Sequence, residues 1–169
     1  VKKLLLIDGY NLIHASPKLT ELASDDLEAS RDELVRVMVD YAAREDVTVE
    51  VVFDAGGRPG PESREKKSDL VTVTYTAQGK TADARLEKAA YESKVEQTTV
   101  VTGDYHQQKV AGGAGALRVS SREFVEELEA RQKGGTGKGR PGAPKKRSRL
   151  EDRLPEDVLE RLREMREKR

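Results

Sequence analysis

Four aspartates stand where an α/β chain can do chemistry. Asp8 follows the apolar run "LLLI", Asp54 closes "VTVEVVFD" and Asp104 closes "TTVVTGD", so each ends a strand-like segment. Asp83, in "KTADARLE", falls in the first turn of a helix-like one. Ligands of an open parallel sheet bind beyond the carboxyl ends of its strands, so the four carboxylates are expected to converge on one edge. Two carboxylates about 5 Å apart repel by roughly 3 kcal/mol at an effective dielectric near 20, and four compound that cost. Such a cluster persists when it is protonated or when a cation neutralises it. The chain has no cysteine and two histidines, His14 and His106, which leaves an oxygen-only ligand set suited to hard divalent ions, Mg²⁺ or Mn²⁺. An ion of that kind, held by a few carboxylates and waters, typically serves phosphate chemistry. Asn11 adds an amide that can hold a phosphate oxygen, and Thr81 and Thr102 add hydroxyls beside the same carboxylates.

Taken singly, each aspartate has an ordinary structural reading. Asp8–Gly9 is a turn dipeptide, Asp54 opens the turn-rich "DAGGRPG", Asp83 suits a helix N-terminus and Asp104 can cap "YHQQKV". It is their shared edge that makes those readings fit poorly together.

The elements that must position them alternate. Residues 4–7, 47–54 and 98–104 read as strands, the first and last of them buried; 70–76 reads as an edge strand and 116–120 as a short fifth. Ser24 is expected to cap a helix over 25–44, Thr81 to open one through 93, and Ser120 with Glu123 forms a capping-box pattern for a closing helix. Strands alternating with helices imply a mostly parallel sheet covered on both faces, a three-layer α/β sandwich.

Charge divides the chain. Residues 1–132 carry 18 Lys+Arg against 24 Asp+Glu, net −6, and residues 133–169 carry 13 against 7, net +6. The expected organisation is a domain over 1–132, a basic Gly/Pro-rich linker over 133–149, and a short amphipathic C-terminal helix over 150–169. An acidic body with a basic tail points to a polyanionic partner. No apolar run approaches membrane-spanning length, so a soluble, cytoplasmic protein without a membrane partner is the expectation. An acidic site also needs basic surroundings to attract nucleic acid. Arg58, Arg64, Lys66 and Lys67 are expected to rim the carboxyl edge, with Lys80, Lys109 and Arg118 nearby, while Lys145, Lys146, Arg147 and Arg149 form the densest cluster of the tail. Contacts from these to phosphates would be salt-sensitive and largely independent of sequence. Tyr10 and Tyr105 flank two of the carboxylates and can stack on a splayed base or pack beneath the site.

The segments "LLLIDGYNLI", "VVFDA", "TADARLEK", "TGDYHQQ" and "GAGALRVSSREF", in this order, resemble the NYN domain family, a branch of the PIN-like metal-dependent ribonucleases, and within it the bacterial YacP-type group. The resemblance implies a parallel sheet of PIN-like topology, an acidic Mg²⁺/Mn²⁺ site and hydrolysis of RNA. It places the catalytic carboxylates on Asp8, Asp83 and Asp104, with Asn11 and Asp54 in support. It also implies endonucleolytic cleavage of messenger RNA in association with the ribosome.

Two other phosphate chemistries fail on single residues. A haloacid-dehalogenase phosphatase needs a second Asp two positions after the first, and that position is Tyr10; a Toprim nuclease needs an Asp-x-Asp pair, and position 106 is His. The remaining alternative is a non-catalytic RNA- or ribosome-binding module on the same fold. Presence of every expected carboxylate favours hydrolysis.

Overall fold

An unbroken apolar run leaves no face of a strand for water, and "LLLI" accordingly lies at the middle of a sheet. The computed structural model describes residues 1–103 and 115–134, which belong to a unit spanning Val1–Gly134. In it β1 (Lys3–Asp8) is followed by three helices, α1 (Gly9–Ala15), α2 (Pro17–Asp25) and α3 (Leu27–Glu45). Then come β2 (Thr48–Phe53), β3 (Ser63–Lys66), β4 (Val71–Tyr75), α4 (Ala82–Glu92), β5 (Gln97–Thr102), β6 (Leu117–Ser120) and α5 (Ser121–Lys133). The strands form one sheet in the order β3-β4-β2-β1-β5-β6. Every pairing is parallel except β3 with β4. The fold is thus a mostly parallel α/β sandwich.

Alternation along the strands sorts the core into two layers. Leu5, Ile7, Val49, Val51, Phe53, Val71 and Val73 pack with Leu12, Ile13, Leu34, Met38 and Phe124 from α1, α3 and α5. Leu6, Val52 and Val100 face the other way, onto Ala82, Leu86 and Ala90 of α4. The chain leaves β1 toward β2 and β4, then returns to the opposite side of β1 for β5. The point where strand order reverses, between β1 and β5, is where an open sheet parts to form a crevice, and Asp8 ends β1 there. No helix among the described residues is long and apolar enough to cross a membrane.

Several elements differ from the sequence reading. No helix was expected before residue 25, yet Asp8 caps α1 directly and Ser16 ends α1 while capping α2, with Pro17 at the first helical position. Ser24 does not open α3; its hydroxyl donates to the carbonyl of Glu21 inside α2, and Asp26 is the cap, accepting from the amide of Ala29 at 3.0 Å. The segment 70–76 is no edge strand, because β3, a stretch with no strand signal of its own, covers it. The capping box at Ser120 and Glu123 is formed as expected.

Candidate active site

Asp8 is both the end of β1 and the N-cap of α1, so its carboxylate is fixed by two elements at once. One oxygen accepts the backbone N–H of Asn11 at 3.1 Å and the other accepts the Asn11 amide Nδ2 at 2.8 Å. The residue is 6% exposed. Burial pushes its pKa above the usual carboxylate range, the Asn11 backbone N–H pulls it back, and the negative charges of Asp83 and Asp54 push it further up. Two of the other three sequence-chosen carboxylates therefore act on Asp8.

Gly9 sets how closely α1 meets β2. A Cβ on it would stand 2.3 Å from Cε1 of Phe53, whose ring lies against Tyr10 at 5.0 Å and Tyr75 at 5.7 Å between centroids. The residue after Phe53 is Asp54, half-buried, with one carboxylate oxygen accepting the N–H of Gly56 at 2.8 Å. Here Gly is needed for close approach.

One hydroxyl ties the end of β2 to the start of α4. Thr76 accepts the N–H of Ala55 at 3.0 Å and donates to the carbonyl of Lys80 at 2.9 Å. Thr81 then caps α4, accepting the N–H of Ala84 at 3.2 Å, and Asp83 follows in the first turn. The carboxylate of Asp83 accepts the Thr102 hydroxyl, at the end of β5, at 3.4 Å. Two residues on, Arg85 reaches under the sheet. Its Nη2 donates to Glu50 at 2.9 Å and its Nε to Glu62 at 3.0 Å, while Thr74 donates to the same Glu50 oxygen at 2.7 Å. Glu50 is 8% exposed, so this network pins the first turn of α4 to β2 and β4. Beyond Thr102, a Cβ on Gly103 would lie 3.4 Å from the Asn11 Nδ2, which brings the end of β5 beside the Asp8–Asn11 pair. Asp104 lies outside the described residues.

The donor set is carboxylate, amide and hydroxyl oxygen, the chemistry that a hard divalent ion takes. None of the ion pairs among the described residues involves Asp8, Asp54 or Asp83. Among those residues, no three His, Cys, Asp or Glu side chains are close enough to one another to hold an ion by themselves.

Comparison with known proteins agrees with this fold. Residues 5–167 match the model of the family described as "YacP-like NYN domain". The chain belongs to the YacP-like NYN domain family. It is 40% identical over 128 residues to "Uncharacterized protein YacP" of Bacillus subtilis (strain 168), with 75% of each chain covered. The fold resembles a crystal structure of Rae1 (YacP) from Bacillus subtilis, with a TM-score of 0.64, 38% identity and coverage of 78% of this chain and 76% of that one. A mutant of the same protein gives a TM-score of 0.65 at 36% identity, with 78% of each chain covered. The family is one of nuclease-type fold.

The cations of this NYN domain are placed less uniformly than its acids. Arg58 and Lys67 line a cavity that opens beside Asp54. Arg64 and Lys66 lie on the antiparallel strand β3, where Arg64, opposite Thr74 near the carboxyl end of β4, pairs with Glu50 at 3.5 Å and Lys66, expected at the rim, pairs with Asp69 at 2.8 Å. The register sets Lys66 opposite Thr72, well back from the carboxyl edge. Lys80 is exposed just ahead of α4. Arg118 sits on β6 opposite Val100, short of the edge, with its Nε buried and unbonded among the described residues. Lys109, Tyr105, Lys145, Lys146, Arg147 and Arg149 lie outside the described residues. The sequence reading missed Arg85, Glu50 and Thr74, which hold Asp83 in place, and Arg31, whose Nη1 donates to the Tyr10 hydroxyl at 2.9 Å. The available signal was a cation two residues after Asp83, within "TADARLEK".

Proposed function

We propose that this chain is a Mg²⁺- or Mn²⁺-dependent endoribonuclease that hydrolyses RNA phosphodiesters. The observation that carries the reading is the buried Asp8 carboxylate, bonded on both oxygens by Asn11 and facing the charges of Asp83 and Asp54 with no cation paired to any of them among the described residues. Asp8, Asp83 and Asp104 would hold the ion, and Asp54 would act through water. A divalent ion supplies such a site with a water acidic enough to attack phosphorus and with charge to stabilise the departing oxygen. The protein's own part is positional. Asn11 orients Asp8 and, with two amide N–H donors of which Asp8 takes one, keeps the other for a phosphate oxygen. Thr102 and the Arg85–Glu50 pair fix Asp83 relative to the ends of β1 and β5. Preorganised groups of this kind cost no rearrangement as charge develops.

The family resemblance directs this activity to messenger RNA on the ribosome, in the cytoplasm, with the basic residues 133–149 recruiting the RNA. The test is cleavage by the full chain and by Asp8→Asn, with Mg²⁺ or Mn²⁺ or with EDTA, on free transcripts and on translating ribosomes. Metal-dependent cuts lost in Asp8→Asn are expected, and cuts found only during translation would establish the ribosomal setting. Binding by both proteins without cutting in any setting would leave the non-catalytic RNA-binding module as the function.

A further inference from the structure

A cavity of about 390 Å³ opens beside Asp54, on the sheet face covered by α1 and α3. Its size falls in the range of pockets that hold small organic groups. Tyr10 and Tyr75 form aromatic wall, each half-buried and each braced against the fully buried Phe53. Arg31, from α3, uses one of its five N–H donors on the Tyr10 hydroxyl among the described residues, and Arg58 adds further donors, as does Lys67 beyond the one it gives Glu65 at 2.7 Å. Glu28, Asp32 and Glu65 supply acceptors in the same lining. Three cations against four carboxylates, Asp54 included, do not make a phosphate cradle. Donors and acceptors set around aromatic rings match the edge and the faces of a nucleobase instead.

We infer that this cavity takes the base of one unpaired nucleotide of the RNA lying across the carboxylates, stacked on Tyr10 or Tyr75 with its edge toward Arg31. The inference rests on the nuclease reading for its substrate and adds to it a requirement for single-stranded RNA beside the cut. Three features connect the two sites. Tyr10 follows Asp8 by two residues on the same turn of α1, Tyr75 lies in register with Phe53 at the carboxyl end of the sheet, and Asp54 lines the cavity itself. A base paired in a duplex presents its faces to its neighbours and cannot enter. Selection for unpaired RNA therefore follows from shape and stacking without any sequence code.

The test places 2-aminopurine, and separately an abasic site, at each position in turn of a short unpaired oligoribonucleotide. The 2-aminopurine series is titrated with full-length Asp8→Asn in Mg²⁺, and the abasic series is offered to wild type for cleavage. One position within a few nucleotides of the cut is expected to quench on binding and, when abasic, to slow cleavage. Stacking of one base on an aromatic side chain is worth roughly 5- to 150-fold in affinity, and losses within that range are expected for Tyr10→Leu. Arg31→Gln and the exposed Lys67→Gln are expected to weaken the positional signal, with unchanged melting temperature excluding misfolding. Cleavage without a position-specific quench, or equal cleavage of the same strand in a duplex, would overturn the cavity's role and leave the nuclease standing. A position-specific quench without cleavage would support the base site while the nuclease reading fell.

Discussion

Replacing Gly9 by Ala tests whether the closeness of α1 to β2 is what shapes the site. The new methyl would lie 2.3, 2.6 and 2.8 Å from three carbons of the Phe53 ring, whereas carbon atoms rest at about 3.5–4.0 Å. The ring must retreat by about 1 Å or α1 must lift, and the ring is fully buried between Tyr10 and Tyr75. Overpacking of this sort costs about 1–3 kcal/mol. Helix propensity works the other way, since Ala exceeds Gly by up to about 1 kcal/mol in a helix interior and by less at the first position. Steric cost wins, and Gly9→Ala is expected to lose about 0.5–2.5 kcal/mol net, a fall in Tm of about 2–9 °C for a unit of this size. Urea and thermal melts followed by circular dichroism measure it. Phe53→Leu should relieve the clash, so the double variant should be more stable than the sum of the single effects by about 1 kcal/mol or more. A Gly9→Ala protein that melts at or above wild type, or a cycle with no coupling, would refute the argument.

Two further variants probe the supports of the site. Arg85→Ala leaves the buried Glu50 with Thr74 and the more distant Arg64; urea denaturation should show a loss of about 3 kcal/mol, the low end of the range for broken buried pairs because those two partners remain, together with slower cleavage through the freed first turn of α4. Asp8 ionises near pH 3.8 when unfolded and at higher pH when folded, so the folded state holds its proton more tightly and loses stability as pH rises through that window. Asp8→Asn, neutral throughout, should therefore gain on metal-free wild type in Tm as pH rises from below 3.8, and Mg²⁺ should raise the Tm of wild type alone.

How much of this could be read from the chain depends on where each signal is stored. The strands carrying Asp8 and Asp54 announce themselves because burial on both faces demands aliphatic or β-branched residues at nearly every position. β3 carries no such signal: all of Ser63–Lys66 is exposed, and the strand exists because the edge of β4 offers backbone partners. The helices before residue 25 were hidden by brevity and by a glycine at the first position of α1, although Ser16–Pro17 is a helix-start pattern that sequence reading could have used. At the site, Asp8 and Asp54 were legible because strand ends fix them locally. The supports of Asp83 were not, because Thr74 and Arg85 meet Glu50 across 24 and 35 residues, and no local pattern records a contact of that kind. Lys66 was misplaced for the same reason, since its strand was invisible.

The resulting charge layout has a consequence for how RNA could be held. Around the sheet, cations are already engaged: Arg85 with Glu50 and Glu62, Arg64 with Glu50, Lys66 with Asp69 and Lys67 with Glu65. The site carboxylates have no such partners among the described residues. A polyanion approaching Asp8, Asp54 and Asp83 would meet their negative charge unless an ion were bound there. Attraction from elsewhere is limited by screening, with a Debye length near 8 Å at physiological salt, so the positive residues 133–149 contribute only where they come within about that distance of the RNA. If the proposed ion binds, metal binding and substrate binding are one electrostatic problem: the charge that would offset the carboxylates' mutual repulsion is the same charge that would let a phosphate come close to them. On the metal reading, the chain carries its densest cations in a separate stretch of sequence, residues 133–149, since cations placed among Asp8, Asp54 and Asp83 would neutralise the site and leave no place for the ion.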